Sequence, residues 1–293
     1  MTPRRWLRLG LELRFWVAGC VGGLALFSTR ALGLAPSPTV LALISCATLA
    51  LYNLDGSLDA PLRVQSPGRR RAHLVLTGVA TLATAVLLVR LPVPAALFTA
   101  AGFAVAAVYA VPLSAARLRG GAPKTWPGVK APFVGAAVSA AVVFVPLLAS
   151  AGAGIPGSGG APTQASGAAV SAVSLVGALW LTLALALACT ANALLFDLPD
   201  LDEDRRAGVL TLARAAGPTA AKRAAGGLAL LCAALGALAP FSAEPASRLG
   251  LVGLGLALGL ASHRVHPETS RAAVAFWVDG TLLLPALVQG LVS

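Results

Sequence analysis

Nine runs of mostly apolar residues, separated by short polar segments, follow one another along the 293-residue chain. A run of roughly 17–25 apolar residues is long enough to cross a bilayer as a helix. We therefore predict an all-α polytopic membrane protein whose spans form one helical bundle, with the second and eighth spans short. The predicted spans cover approximately 14–34, 37–54, 73–92, 93–112, 130–151, 172–196, 219–240, 247–262 and 271–292.

The composition supports a single membrane domain. Hydrophobic residues make up 57% of the chain and charged residues only 11%, whereas soluble domains carry about 25% charged residues. Because no large polar segment interrupts the apolar runs, we predict one integral-membrane domain over residues 1–293. Residues 150–171 are uncharged and rich in Gly, Ser, Pro and Ala, which is typical of a flexible loop.

The net charge of +11 raises the question of a nucleic-acid partner. The basic residues cluster beside the apolar runs, as the positive-inside rule expects of a membrane protein, so we predict no nucleic-acid partner. With the N-terminus in the cytoplasm, only Arg30, Arg90 and Arg248 of the 22 Lys and Arg residues fall outside. This asymmetry predicts a cytoplasmic N-terminus and a multi-pass protein of the inner or plasma membrane.

Acidic residues are rare, numbering 11 in the chain, yet five of them lie within eight positions after the sixth predicted span. Three of these, Asp197, Asp200 and Asp204, are spaced i, i+3 and i+7 and so share one face of a helix. Crowded carboxylates at a membrane span repel one another and resist dehydration. A positive partner is therefore expected, and a divalent metal ion is the leading candidate.

A second acidic cluster ends the second span, where Asp55 and Asp59 share a face if the helix continues through Gly56. Arg63 and further arginines follow. Both clusters are predicted at the cytoplasmic face, where the active site would open. Mg²⁺ is commonly held by a few carboxylates together with substrate phosphates, and basic side chains neutralise the remaining phosphate oxygens. The pattern therefore predicts a site for a metal-bound diphosphate.

The acidic cluster that follows the sixth predicted span also carries a recognisable motif. Asp197, Asp200 and Asp204 form an Asp-x-x-Asp-x-x-x-Asp pattern, and Gly208, Thr211 and Leu212 follow it as Gly-x-x-Thr-Leu. Both patterns, and the nine-helix layout over nearly the whole chain, resemble the UbiA superfamily of intramembrane prenyltransferases. The loop after the fourth span resembles the family's Tyr-x-x-Pro-Leu stretch, with corresponding residues Tyr109, Pro112, Arg117, Lys124 and Lys130.

The resemblance implies a Mg²⁺-dependent enzyme that moves a prenyl group from a polyprenyl diphosphate to an unidentified aromatic or lipid acceptor. It assigns catalysis and metal binding to five carboxylates, and diphosphate binding to three cations. The carboxylates are Asp55, Asp59, Asp197, Asp200 and Asp204, and the cations are Arg63, Lys124 and Lys130.

The first motif departs from that family. The family places Asn four residues before the first Asp, whereas here Leu51 stands at that position and Asn53 lies two residues ahead of Asp55. On an ideal helix this turns Asn53 by about 160°. Either a distortion near Gly56 restores the geometry, or Asn53 is not a ligand. An intramembrane terpene cyclase with the same site, and an inactive homologue with a binding role, remain alternatives.

Other functions fit the acidic residues less well. A CDP-alcohol phosphotransferase needs more carboxylates soon after Asp59, and a transporter needs ionisable residues along a path through the membrane. Asp279 lies inside the last span, where both a functional role and a structural pairing are open. Asn192 is expected to form an interhelical hydrogen bond. Asp202 and Glu203 are expected to be solvated, and Pro199 is expected to kink the sixth span.

Overall fold

The computed structural model describes residues 14–58, 67–110, 128–152, 172–207, 210–239 and 245–292, and this part is helical with no strand. The prediction of an all-α fold is confirmed. The helices are α1 (Phe15–Ala31), α2 (Pro38–Leu58), α3 (Pro67–Leu88), α4 (Val93–Ala110), α5 (Lys130–Gly152), α6 (Ala172–Phe196), α7 (Leu201–Ala207), α8 (Leu212–Ala216), α9 (Pro218–Ala237), α10 (Pro245–Arg264), α11 (Arg271–Val274) and α12 (Leu284–Val292), with a π-helix at Ala275–Asp279 between the last two.

Within the described ranges, seven helical segments are long and apolar enough to cross a membrane, and Phe15–Ala31 and Val93–Tyr109 are shorter apolar helices. The expectation that the second and eighth spans are short is wrong, because α2 has 21 residues and α10 has 20. Both helices continue into polar residues at their ends. The length of an apolar run does not include these residues, so the predicted spans were shorter than the helices. Polar and basic side chains at such ends reach the interface without breaking the helix.

The long helices form a closed ring. Starting from α1, each long helix in the described chain contacts the next along the sequence, and α12 returns to contact α1. The weakest contact in this ring is between α3 and α4, since α4 packs more on α2 and α5 than on α3. Most residues of α1 are buried, and α1 also packs across the ring against α5.

The first and last helices are joined where the last span departs from α-helical geometry. A π-turn leaves backbone carbonyls out of the regular ladder. The indole nitrogen of Trp16 donates a hydrogen bond of 3.0 Å to the carbonyl oxygen of Ala275. The Trp16 ring also stacks on Phe276, with centroids 5.2 Å apart. These contacts close the ring between α1 and the π-helix.

The packing of α6 and α9 positions the acidic motif. The Trp180 indole, in the first half of α6, donates to the Leu235 carbonyl near the end of α9 at 3.0 Å. Asp197, just after the end of α6, and Ala224, in the first half of α9, line one cavity. The two helices are therefore antiparallel. On the other side of α9, a Cβ at Gly255 would lie 2.4 Å from the carbonyl oxygen of Ala229, so α10 approaches α9 closely because glycine stands there.

Candidate functional site

The second acidic motif lies at a break between two helices. Helix α6 ends at Phe196, residues 197–200 form a turn, and α7 begins at Leu201. The prediction of one uninterrupted helical face for Asp197, Asp200 and Asp204 is therefore wrong. Pro199 supplies no backbone N–H, so a continuous helix would lose a hydrogen bond there. The expected kink is a complete interruption, and Asp204 lies in the first turn of α7.

Lys130 supplies the positive partner of Asp197. Its Nζ lies 2.6 Å from Oδ1 of Asp197, and the carboxylate side chain is 2% exposed against 33% for the lysine. Lys130 is the first residue of α5, so the pair ties the start of α5 to the end of α6. A charge-assisted bond of this length is among the stronger hydrogen bonds in proteins. The structure thus places Lys130, predicted to bind diphosphate, directly in the acidic cluster.

Arg271 is the second cation of the cluster, and it was not among the residues predicted for the site. Its Nε donates to Oδ1 of Asp200, and its Nη2 lies 2.6 Å from Oε2 of Glu203. Glu203 is therefore ion-paired and not simply solvated. Asp202 is 77% exposed and pairs with Arg205 at 3.2 Å, as a surface carboxylate would. Arg271 opens the last span, so its pairing with Asp200 fixes that span against α7.

Asp204 differs from its neighbours because none of the described cations forms an ion pair with its side chain. It is 7% exposed, and Oδ2 is buried without a hydrogen-bond donor among the residues that the structure describes. The guanidinium of Arg214 donates to its backbone carbonyl at 3.4 Å, not to its side chain. Burial raises the pKa of Asp204 to about 6, while the nearby Lys130 opposes the rise. Burial also raises the pKa of Asp197.

This donor set is compatible with a magnesium ion. No three His, Cys, Asp or Glu side chains of the described residues lie close enough to form a metal-binding group. Magnesium, however, is usually held by one or two carboxylates together with phosphate oxygens and water. The buried Oδ2 of Asp204 receives no hydrogen bond from the described residues. Within the same part of the chain, Lys130 and Arg271 form ion pairs with Asp197, Asp200 and Glu203 and none with Asp204, so the Asp204 carboxylate is the oxygen ligand best placed to accept a metal ion.

The first acidic motif is only partly described. Asp55 is half-buried in the last turn of α2, and α2 continues without interruption through Gly56 to Leu58. No distortion therefore restores the family's position for Asn53. Its Oδ1 instead lies 2.6 Å from Nδ1 of His73, which joins α2 to α3. His73 was not among the predicted site residues, because its regular helical surroundings in α3 offer no signal.

Three predicted site residues, Asp59, Arg63 and Lys124, lie outside the described residues, as do Pro112, Arg117 and Gly208. Their assignments stay predictions. Tyr109, at the end of α4, stacks on Phe133 of α5 with ring centroids 4.0 Å apart. The stack brings the end of α4 to the first turn of α5, beside Lys130. Thr211 of the Gly-x-x-Thr-Leu pattern caps α8 by accepting a hydrogen bond from the backbone N–H of Arg214 at 3.3 Å.

Asp279 lies away from this cluster, inside the last span. Its Oδ1 accepts a hydrogen bond of 3.4 Å from Nδ2 of Asn192, and both residues are buried. The interhelical bond expected of Asn192 is therefore present, and its partner is the intramembrane carboxylate. On α6, Asn192 and Leu194 are two positions apart and so lie about 200° apart around the helix. The Asn192–Asp279 contact is thus on the side of α6 away from Leu194.

Comparison with solved structures identifies this arrangement of helices. A UbiA homologue from Aeropyrum pernix K1 superimposes with a TM-score of 0.61 at 13% sequence identity, covering 94% of this chain and 98% of that one. The chain has the UbiA fold. A UbiA homologue from Archaeoglobus fulgidus bound to GPP and Mg²⁺ matches with a TM-score of 0.62 at 12% identity, covering 96% of this chain and 99% of that one.

A digeranylgeranylglyceryl phosphate synthase shares the UbiA fold with this chain at a TM-score of 0.54 and 13% identity, with coverage of 96% and 99%. No protein-family model matches the sequence, and no curated protein matches it. At such low identity the shared property is the fold itself. The function must therefore be argued from the residues of the site.

Proposed function

We propose that the chain is a member of the UbiA superfamily and a Mg²⁺-dependent intramembrane prenyltransferase. The observation that carries the proposal is the buried Asp204 carboxylate, with an oxygen that no described donor reaches, in a cluster that also contains Lys130 and Arg271. Solved structures of the same fold include UbiA homologues bound to GPP and Mg²⁺ and to DMAPP and Mg²⁺. A prenyl diphosphate is accordingly the proposed donor substrate, and the acceptor is an aromatic or lipid molecule.

In the proposed reaction the site residues bind and neutralise the diphosphate. Asp204 and Asp200 would hold Mg²⁺, with Asp55 and Asp59 as the predicted second carboxylate set. A bound Mg²⁺ would neutralise charge that develops on the leaving diphosphate. Lys130 pairs with Asp197 at 2.6 Å and would offer its remaining N–H donors to a phosphate oxygen.

The bond that breaks joins the allylic carbon to the diphosphate oxygen, and the bond that forms joins that carbon to the acceptor. The acceptor loses the proton that the prenyl group replaces, and the departing diphosphate accepts it. The prenyl chain would be held by apolar side chains, which exclude water from the reacting carbon. We also propose that this site opens at the cytoplasmic face and that the N-terminus is cytoplasmic. Labelling of a cysteine placed at the exposed Asp202 from outside intact cells would contradict that orientation.

The experiment that tests the proposed function is incubation of the purified protein with Mg²⁺, geranyl diphosphate (GPP) and an extract of its host membrane lipids. We expect diphosphate release that depends on Mg²⁺, with a product heavier than an extract component by one prenyl group. Diphosphate release with a cyclised product and no acceptor adduct would favour the terpene cyclase instead. Binding without release would favour the inactive homologue.

The raised pKa of Asp204 predicts how Mg²⁺ binding depends on pH. Because burial disfavours the ionised carboxylate and raises the pKa to about 6, the metal-free fold binds this proton more tightly than the unfolded chain. The stability that this proton gives the metal-free fold is present at low pH and is lost as the pH rises through about 6. Mg²⁺ must displace the same proton, so its affinity should fall steeply below pH 6.

The measurement is the rise in melting temperature produced by Mg²⁺ in detergent, at pH 5.0 and pH 7.5. We expect a larger rise at pH 7.5 in the wild type and none at either pH in Asp204→Asn. An equal rise in the wild type at both values would contradict the assignment of Asp204 as the titrating ligand.

A further inference from the structure

Arg271 contacts two acidic residues of the site from a different part of the chain. It is the first residue of the last span, and its Nε donates to Oδ1 of Asp200, which is predicted to bind the metal. Its Nη2 lies 2.6 Å from Oε2 of Glu203, which is outside the Asp-x-x-Asp-x-x-x-Asp motif. The guanidinium therefore bridges one carboxylate that the proposed metal needs and one that it does not need.

The carboxylate that Arg271 contacts is close to the proposed metal ligand Asp204. The backbone N–H of Asp204 donates to the Asp200 carbonyl at 2.8 Å, so one helical turn joins the two residues, and the charge of Asp200 acts on the Asp204 carboxylate. A cation held by both carboxylates would lie next to the guanidinium. Two positive charges in a partly buried site repel one another, and Asp200 is only 15% exposed. Arg271 therefore opposes the binding of a metal ion alone.

Arg271 also has donors left for an anion. A guanidinium carries five N–H groups in a planar fork, and Nη1 contacts no acceptor among the residues that the structure describes. The side chain is 38% exposed, so an anion can reach it from solution. The planar fork matches the spacing of phosphate oxygens. The side chain that repels a metal ion alone is thus suited to binding a diphosphate.

We propose that Arg271 occupies Asp200 while the site is empty and turns to the diphosphate when Asp200 binds Mg²⁺. This inference rests on the proposed function. Glu203 keeps its ion pair with Arg271 during the exchange, so the guanidinium turns about one fixed contact. Metal without diphosphate leaves Mg²⁺ repelled by Arg271, and diphosphate without metal meets the carboxylates of Asp200 and Asp204. Each ligand therefore increases the affinity for the other, which is positive coupling.

The test is calorimetry in nanodiscs with Mg²⁺ alone and with inorganic diphosphate at saturating Mg²⁺. Arg271→Gln should raise the affinity for Mg²⁺ alone by at least about tenfold, because the competitor for Asp200 is gone. The same variant should lower the affinity for inorganic diphosphate by at least about tenfold, because a hydrogen bond to a charged group is lost. Arg271→Lys should show the same two changes at smaller size, because an ammonium keeps the charge but has no planar fork.

Arg205→Gln is the matched control. It makes the same change of charge in α7, but Arg205 is 66% exposed and pairs with Asp202, so both affinities should stay within about a factor of two. If Arg205→Gln shifts both affinities as Arg271→Gln does, or if Arg271→Lys binds both probes as the wild type does, the effect is general electrostatics and the inference is wrong. Arg271→Lys also carries the test if Arg271→Gln does not fold. If the wild type binds no inorganic diphosphate in the presence of Mg²⁺, the proposed function itself fails.

Discussion

Asp204→Asn should reduce Mg²⁺-dependent diphosphate release by at least about 100-fold, whereas Asp202→Asn should leave it within a factor of two. The two residues have the same chemistry and lie in the same helical turn. Asp204 is 7% exposed with an oxygen that no described donor reaches. Asp202 is 77% exposed and paired with Arg205. Removing the charge at position 204 removes a buried oxygen ligand, while the same change at position 202 affects only solvent-exposed charge.

The measurement is diphosphate release from geranyl diphosphate at saturating Mg²⁺, with melting temperatures recorded for both variants. A neutral residue at position 204 no longer requires desolvation of a charge, so Asp204→Asn should be as stable as the wild type or more stable. A loss of activity with unchanged folding then reports on ligand binding. Equal activity in Asp204→Asn and Asp202→Asn would contradict the assignment of Asp204 as a metal ligand.

Lys130→Met should destabilise the protein by about 3 kcal/mol and eliminate activity. The carboxylate of Asp197 is 2% exposed and lies 2.6 Å from Nζ of Lys130, so methionine would leave a buried carboxylate without its cation. The protein can respond only by protonating Asp197, whose pKa burial already raises, or by admitting water. Either response disturbs the junction of α5 and α6.

The double variant Lys130→Met with Asp197→Leu separates stability from function. Replacing both members of a buried ion pair by apolar residues is often neutral or stabilising, so most of the melting temperature should return. Activity should stay absent, because both members of the Lys130–Asp197 pair are gone from the site. A double-mutant cycle on melting temperature measures the coupling directly. If the double variant is as unstable as Lys130→Met alone, the pair is not the source of the stability loss.

Local sequence patterns identified the parts of the site that are close together along the chain. The spacing of Asp197, Asp200 and Asp204 predicted an acidic cluster at the end of a span, and Lys130 was predicted from the loop preceding the fifth span. The need for positive charge among these carboxylates was also predicted. A divalent metal was favoured for that role, and in the structure two side chains, Lys130 and Arg271, already fill part of it.

What the sequence could not predict depends on contacts between distant residues. Arg271 lies 71 residues from Asp200, and Asn53 lies 20 residues from His73. Neither pairing leaves a trace in the 3.6-residue periodicity of a single helix. The break at residues 197–200 was underestimated for a different reason. Pro199 predicted a kink, but whether a helix bends or ends at proline depends on the packing available to the residues after it.

The ring that closes between Trp16 and Ala275 has a consequence for biosynthesis. Trp16 lies in the first described helix, and its acceptor carbonyl lies in the π-helix of the last span, 259 residues later. Arg271, which neutralises Asp200, emerges from the ribosome at the same late stage. Until then the contact between Asp200 and Arg271 cannot form, and the ring has an open side. The site is therefore completed only by insertion of the final span, so release of a chain shortened before Arg271 would leave an inserted but inactive protein.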